Sequence, residues 1–189
     1  MIDNKVGSDW QKKFRNLFES KDLIVVPLDK KSKNRRCVDF WVHKKIDYQE
    51  GFLCEVKSVN VVGFDEEIKA QISSRDNKFW GSVGKNVREH NYDHYGVESK
   101  VRERLIDALS QYEDSYLSRF KIVKEGKPFV VAIGFDFTAF PNQVNFSQLL
   151  QEFPLVSAVL TLEGNDMETF KVYTNKISKI SFRSACFLN

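Results

Sequence analysis

The apolar residues of this chain repeat with two periods, and each period predicts its own kind of element. In "GSDWQKKFRNLFESKD" (7–22), Trp10, Phe14, Leu17 and Phe18 fall at helical spacing, and Ser8 with Gln11 three residues on reads as a capping box. A helix is predicted there. Three compact runs follow, "LIVVPL" (23–28), "RCVDFWVHK" (36–44) and "GFLCEVKSVNVV" (51–62), rich in β-branched and aromatic residues and hence read as strands. Only "KIDYQE" separates the last two, which predicts an antiparallel pair. Pro27 falls near the end of the first strand, where a missing N–H is tolerated.

"VESKVRERLIDALSQYEDSYLSRF" (97–120) carries the longest helical pattern, with Val97, Val101, Leu105, Ile106, Ala108, Leu109 and Tyr112 on one broad face. "KPFVVAIGFDF" (127–137) is apolar throughout, which predicts a central strand covered on both faces. "NFSQLLQEF" (145–153) reads as a short helix capped by Asn145, "VSAVLTLEG" (156–164) as a strand and "FKVYTN" (170–175) as an edge strand. Residues 63–96 are polar and punctuated by glycine, an irregular insertion in which "EEIKAQISS" could form a short helix. A loop of that length in a compact domain commonly carries function. The order α, β, β, β, α, β, α, β predicts an α/β fold in one domain spanning 1–189, a mixed central sheet flanked by helices on both faces.

Composition narrows the class. With 189 residues, 42% of them hydrophobic, the chain can build one sizeable core. No apolar run approaches the roughly 18 residues that span a bilayer. The start, "MIDNKVGSDW", has no signal-peptide apolar stretch. Cys37, Cys54 and Cys186 are too few and too scattered for a disulfide framework. A soluble, cytoplasmic protein without membrane contact is expected.

The net charge of +3 leans only weakly toward an anionic partner, but its clustering is sharper. Lys30, Lys31, Lys33, Arg35 and Arg36 crowd the loop after the first strand, and Arg75, Lys78 and Lys85 interleave with Phe79 and Trp80 in the insertion. Both patterns suit nucleic acid, and both also suit solvated loops. "GSVGKN" (81–86) is similar to a phosphate-binding loop, but Phe79 and Asn86 stand where that motif needs Gly and Ser or Thr. A zinc set of Cys37, Cys54, His90 and His94 fails because the two cysteines should face opposite sides of the sheet.

The candidate chemistry sits in the second and third strands. Residues two apart in a strand share a face, so Glu55 and Lys57 project together with Leu53, away from Phe52, Cys54 and Val56. Asp39 is embedded among Val38, Phe40, Trp41 and Val42, where burying a lone carboxylate costs on the order of several kcal/mol. Paired strands can bring Asp39 and Glu55 together. Two carboxylates so placed repel, and a hard divalent cation, Mg²⁺ or Mn²⁺, removes the repulsion. Lys57 beside them can orient a water. An edge ion pair with an unrelated Asp is the competing reading.

Asp39 followed by Glu55-Val56-Lys57 resembles the PD-(D/E)xK nucleases, the restriction-endonuclease-like fold. The resemblance covers about residues 9–162, mostly as topology; Val38 stands where the family name has Pro. It implies an α-β-β-β-α-β core with the Asp at or in the second strand and the (D/E)xK in the third. It implies a metal-dependent endonuclease acting on nucleic acid, DNA by expectation. Asp39, Glu55 and the Val56 carbonyl would hold Mg²⁺ or Mn²⁺, and Lys57 would serve the nucleophilic water. Glu19 on the first helix is a candidate auxiliary ligand, although a solvated helix-end Glu is the plainer reading. Gln111 on the long helix is a candidate for holding the site, although Ser115 stands where such subfamilies have Tyr. Many such enzymes act as homodimers. A catalytically inactive nucleic-acid-binding or regulatory module of the same fold stays open as the alternative.

Overall fold

The computed structural model describes residues 3–28, 37–59, 94–115, 117, 122, 124–135, 141–163 and 166–182. Helix α1 (Asp3–Ser20) leads to β1 (Leu23–Pro27), β2 (Phe40–Lys44) and β3 (Gly51–Val59). Helix α2 (His94–Asp114), β4 (Phe129–Phe135), the single-turn helix α3 (Phe146–Leu149), β5 (Ala158–Glu163) and β6 (Asp166–Thr174) follow. The six strands form one sheet in chain order. β1, β2 and β3 are an antiparallel meander, β3, β4 and β5 are parallel, and β6 returns antiparallel. This is an α/β architecture with a mixed sheet. Among the described residues no helix is long and apolar enough to cross a membrane.

The sheet has a packed core on each face. Under α1, Trp10, Phe14, Leu17 and Phe18 meet Phe52, Cys54, Val130 and Ala132. Under α2, Val101, Leu105, Ala108 and Tyr112 meet Trp41, Leu53, Val131 and Ile133. β4 is buried along its whole length, as a strand with helices on both sides must be. Each fully buried Phe or Leu contributes about 1.5–3 kcal/mol. Gly134 fixes the seat of α1: a Cβ there would lie 2.0 Å from the Trp10 ring. Trp10 therefore rests directly on β4, and the residue after it, Gln11, is carried to the β2–β3 boundary.

Several boundaries differ from the sequence expectation. α1 begins at Asp3, so Ser8 lies inside the helix and not at its N-cap. Backbone carbonyls one turn earlier already serve the N–H groups that the box would have capped. β2 begins only at Phe40, because Asp39 sits in a bend and ends the ladder with its side chain. α2 starts at His94, inside the span read as insertion, and stops at Asp114. Ser115 marks the stop: its Oγ donates to the Gln111 carbonyl at 2.7 Å and accepts the Val38 N–H at 2.9 Å. Ile106, expected on the buried face, is 57% exposed, since the buried row is the narrower Val97, Val101, Leu105, Ala108, Tyr112. Asn145 caps α3 as read, accepting the Gln148 N–H at 3.2 Å, and Leu150–Glu152 continues as a 3₁₀ turn. β6 starts at Asp166, before the expected 170. The basic loop and the rest of the insertion lie outside the described residues.

Candidate active site

β2 pairs with β3 only as far as Phe40 opposite Cys54. Beyond Cys54, β3 keeps β4 on one side and, among the described residues, pairs with no strand on the other, which leaves that edge open to side chains. Its backbone groups there need partners, since a buried polar group left unpaired costs about 1–3 kcal/mol. Asp39 serves one of them, and Glu55 in turn serves the Asp39 backbone. The Val56 N–H donates to Asp39 Oδ2 at 2.7 Å, and the Asp39 N–H donates to Glu55 Oε2 at 3.1 Å. A strand residue turns its N–H and C=O to the same side, so the Val56 carbonyl faces this edge too.

Both helices send a side chain to the pair. From α1, Gln11 Nε2 donates to Asp39 Oδ1 at 2.6 Å. From α2, Asp107 Oδ2 accepts from Lys57 Nζ at 2.6 Å, and Lys57 Nζ also lies 2.9 Å from Glu55 Oε1. Gln111 completes the ring. With its amide nitrogen toward Glu55, it donates to both carboxylate oxygens and accepts from Lys57 Nζ at 2.8 Å. Arg104, Asp107 and Gln111 form one stripe of α2, continued by Ser115 just past its end, and they meet Ser58, Lys57, Glu55 and Val38 in turn. The helix runs along the open edge of β3 with polar side chains matched to it.

The Glu55 side chain is 3% exposed and that of Lys57 9%, so the ion pair they make at the strand edge is a buried one. Burial, and then the charge of Asp39, raise the Glu55 carboxyl from 4.5 to about 8, against the pull of Lys57 and the Asp39 N–H. Burial alone would lower the Lys57 ammonium, but Glu55 and Asp107 outweigh it and raise it. Cys54, on the opposite face, is pushed up by burial and then by Asp39 and Glu55, which keeps it an inert thiol.

Asp39, Glu55, Lys57 and Gln111 are thus brought together. Glu19 is not: it is exposed, and it pairs with Arg15 at 2.8 Å, one turn back on the solvent side of α1. Among the described residues no three His, Cys, Asp or Glu side chains converge. A cation here would take two carboxylates and a carbonyl. That donor set of hard oxygens fits Mg²⁺ or Mn²⁺, and the burial and the Asp39 charge that raise the Glu55 carboxyl are the repulsion such an ion would relieve. Lys30, Lys31, Lys33, Arg35, Arg36, Arg75, Lys78 and Lys85 lie outside the described residues. Cys37 and Cys54 fall in opposite cores, so they do not share a metal. Two site residues escaped the sequence reading. Gln11 was absorbed into a cap signal. Asp107, four residues before Gln111, had a legible spacing but no reason to be tied to Lys57.

Comparison with known protein families, with curated proteins and with solved structures returned no match.

Proposed function

We propose that this protein is a metal-dependent nuclease with a restriction-endonuclease-like core, hydrolysing nucleic-acid phosphodiester bonds, with DNA as the substrate. The observation that carries the reading is the meeting of Asp39 and Glu55 at the open edge of β3 with Lys57 against Glu55. The order α1-β1-β2-β3-α2-β4 supports it, with Asp39 immediately before β2 and Glu55 within β3.

Asp39, Glu55 and the Val56 carbonyl would hold Mg²⁺ or Mn²⁺, which when bound neutralises phosphate charge and makes a nearby water more acidic. Lys57 Nζ has three N–H donors, which Glu55, Asp107 and Gln111 accept; with Glu55 turned to the ion, the donor it releases would orient that water beside the phosphate, while Asp107 and Gln111 keep the ammonium aimed. The water oxygen adds to phosphorus as it gives up a proton to solvent, and the bond to the leaving sugar oxygen breaks as that oxygen takes a proton from solvent. Gln11 and the Val56 N–H fix the Asp39 carboxylate from two sides, so the constellation is preorganised on strands and helices. A cytoplasmic location and a homodimer that cuts both strands accompany this reading.

A second reading has an observation of its own. All four oxygens of Asp39 and Glu55 already accept from protein groups, as expected of acids that close a sheet edge in a non-hydrolytic nucleic-acid-binding or regulatory module of the same fold. Incubating purified protein with plasmid, linear and single-stranded DNA, in Mg²⁺, Mn²⁺ or EDTA, separates the two. Cleavage that needs the metal supports the nuclease. Binding without cleavage under every condition supports the module.

A further inference from the structure

Helix α2 carries three cations with described side chains, and two of them are neutralised. Lys100 pairs with Glu103 at 2.8 Å, and Arg102 pairs with Glu98 and Glu152. Arg104 is different. Among the described residues it makes no ion pair, although its side chain is only partly exposed. Its one hydrogen bond runs from Nε to the Ser58 carbonyl, at 3.0 Å.

The place of that bond matters. Ser58 has the same strand parity as Val56, so its carbonyl turns to the same open edge. Two residues of strand separate them, about 7 Å. Arg104 is also the first member of the α2 stripe whose next members, Asp107 and Gln111, hold Lys57 and Glu55. Its guanidinium is therefore pinned to the edge on which the acids meet, one step further along. A guanidinium has five N–H donors in a fixed fork, and Nε uses one. The two terminal nitrogens suit the two oxygens of a phosphate, and an unpaired charge in a half-buried setting gains from an anion.

We propose that Arg104 is a phosphate-binding residue of this site. It grips a backbone phosphate of the bound strand next to the phosphate that faces Asp39, Glu55 and Lys57. The assignment rests on the nuclease reading for its substrate class, nucleic acid, but needs no metal and no chemistry.

The test is binding of a short fluorescein-labelled DNA duplex in EDTA across a range of salt, for the parent, Arg104→Gln and Arg104→Lys, with cleavage measured separately in Mn²⁺. Arg104→Gln should weaken binding about tenfold and reduce the slope of log K against log salt by about one. Arg104→Lys keeps the charge and loses the fork, so it should keep the slope and recover part of the affinity. It also serves if the glutamine variant misfolds. An Arg104→Gln protein with parental affinity and slope overturns the assignment, even if the parent cleaves DNA. A parent that binds through Arg104 and never cleaves upholds the assignment and sinks the nuclease reading. A parent that binds no duplex, yet is stabilised by inorganic phosphate through Arg104, overturns it in favour of a free-anion site.

Discussion

The Asp39 N–H donates to Glu55 Oε2 at 3.1 Å, while the Asp39 carboxylate accepts the N–H of the next residue, Val56, at 2.7 Å. Each acid thereby replaces a ladder hydrogen bond that β2, starting at Phe40, no longer makes with β3. The pairing has two consequences that can be separated by experiment. It closes an edge of the sheet, which is a stability effect. It also sets two carboxylates and an ammonium in one buried cluster, which is chemistry.

Lys57→Met separates them. Methionine keeps the apolar stem and removes the ammonium. Glu55 then loses its cation but can retain a proton, so the cost to folding should be about 1–3 kcal/mol by urea denaturation. Mn²⁺ should still bind. Plasmid cleavage should fall by about a hundredfold or more, the scale of losing one charge-stabilising donor. A variant that cleaves at the parental rate would remove Lys57 from the mechanism.

Asp107 acts on Lys57 from α2, through the 2.6 Å contact with Nζ. Its side chain is 42% exposed, so Asp107→Asn should cost under about 1 kcal/mol. Steady-state kinetics should nevertheless give a lower kcat with KM for DNA nearly unchanged, because Lys57 loses its aim and the substrate loses no contact. Asp107→Glu should restore part of kcat. A change confined to KM would mean that Asp107 touches substrate instead.

Glu55 predicts a pH dependence. Its carboxyl is raised from 4.5 to about 8, so between those values the folded protein keeps a proton that the unfolded chain releases. This contribution is fully present below the unfolded value and is lost as pH rises through the folded one, so stability declines with pH over the window. In EDTA, Tm of the parent should fall across it relative to that of Glu55→Gln, with an integrated difference on the order of a few kcal/mol. Parallel Tm profiles for the two proteins would mean that Glu55 is not perturbed.

Much of the architecture was legible because it is written in apolar spacing. Trp10, Phe14, Leu17 and Phe18 announce α1, and the unbroken apolar run of β4 announces a strand covered on both faces. The sharing of a face by Leu53, Glu55 and Lys57 follows from strand geometry alone, and it locates the pair before any fold is known. Boundaries were harder. Ser8 and Gln11 match a local cap signal, but the helix runs on to Asp3, and Gln11 spends its side chain on Asp39 instead. The polar stripe Arg104, Asp107, Gln111, Ser115 has helical spacing, yet nothing in a polar helix face says which strand it will meet. Partnership of that kind is tertiary. So was the isolation of Glu19, whose exposure depends on which way α1 rolls on the sheet.

The central claim is that Asp39 and Glu55 together bind a divalent cation that cleavage requires. Calorimetric Mn²⁺ titration of the parent, Asp39→Asn and Glu55→Gln, paired with plasmid nicking on the same preparations, tests it most directly. The parent should bind Mn²⁺, more tightly as pH rises toward 8 and Glu55 releases its proton, and it should nick plasmid only with metal present. Both variants, near-isosteric and still folded, should lose binding and nicking together. Parental Mn²⁺ affinity in either variant, or nicking by the parent that persists in EDTA, would contradict the claim.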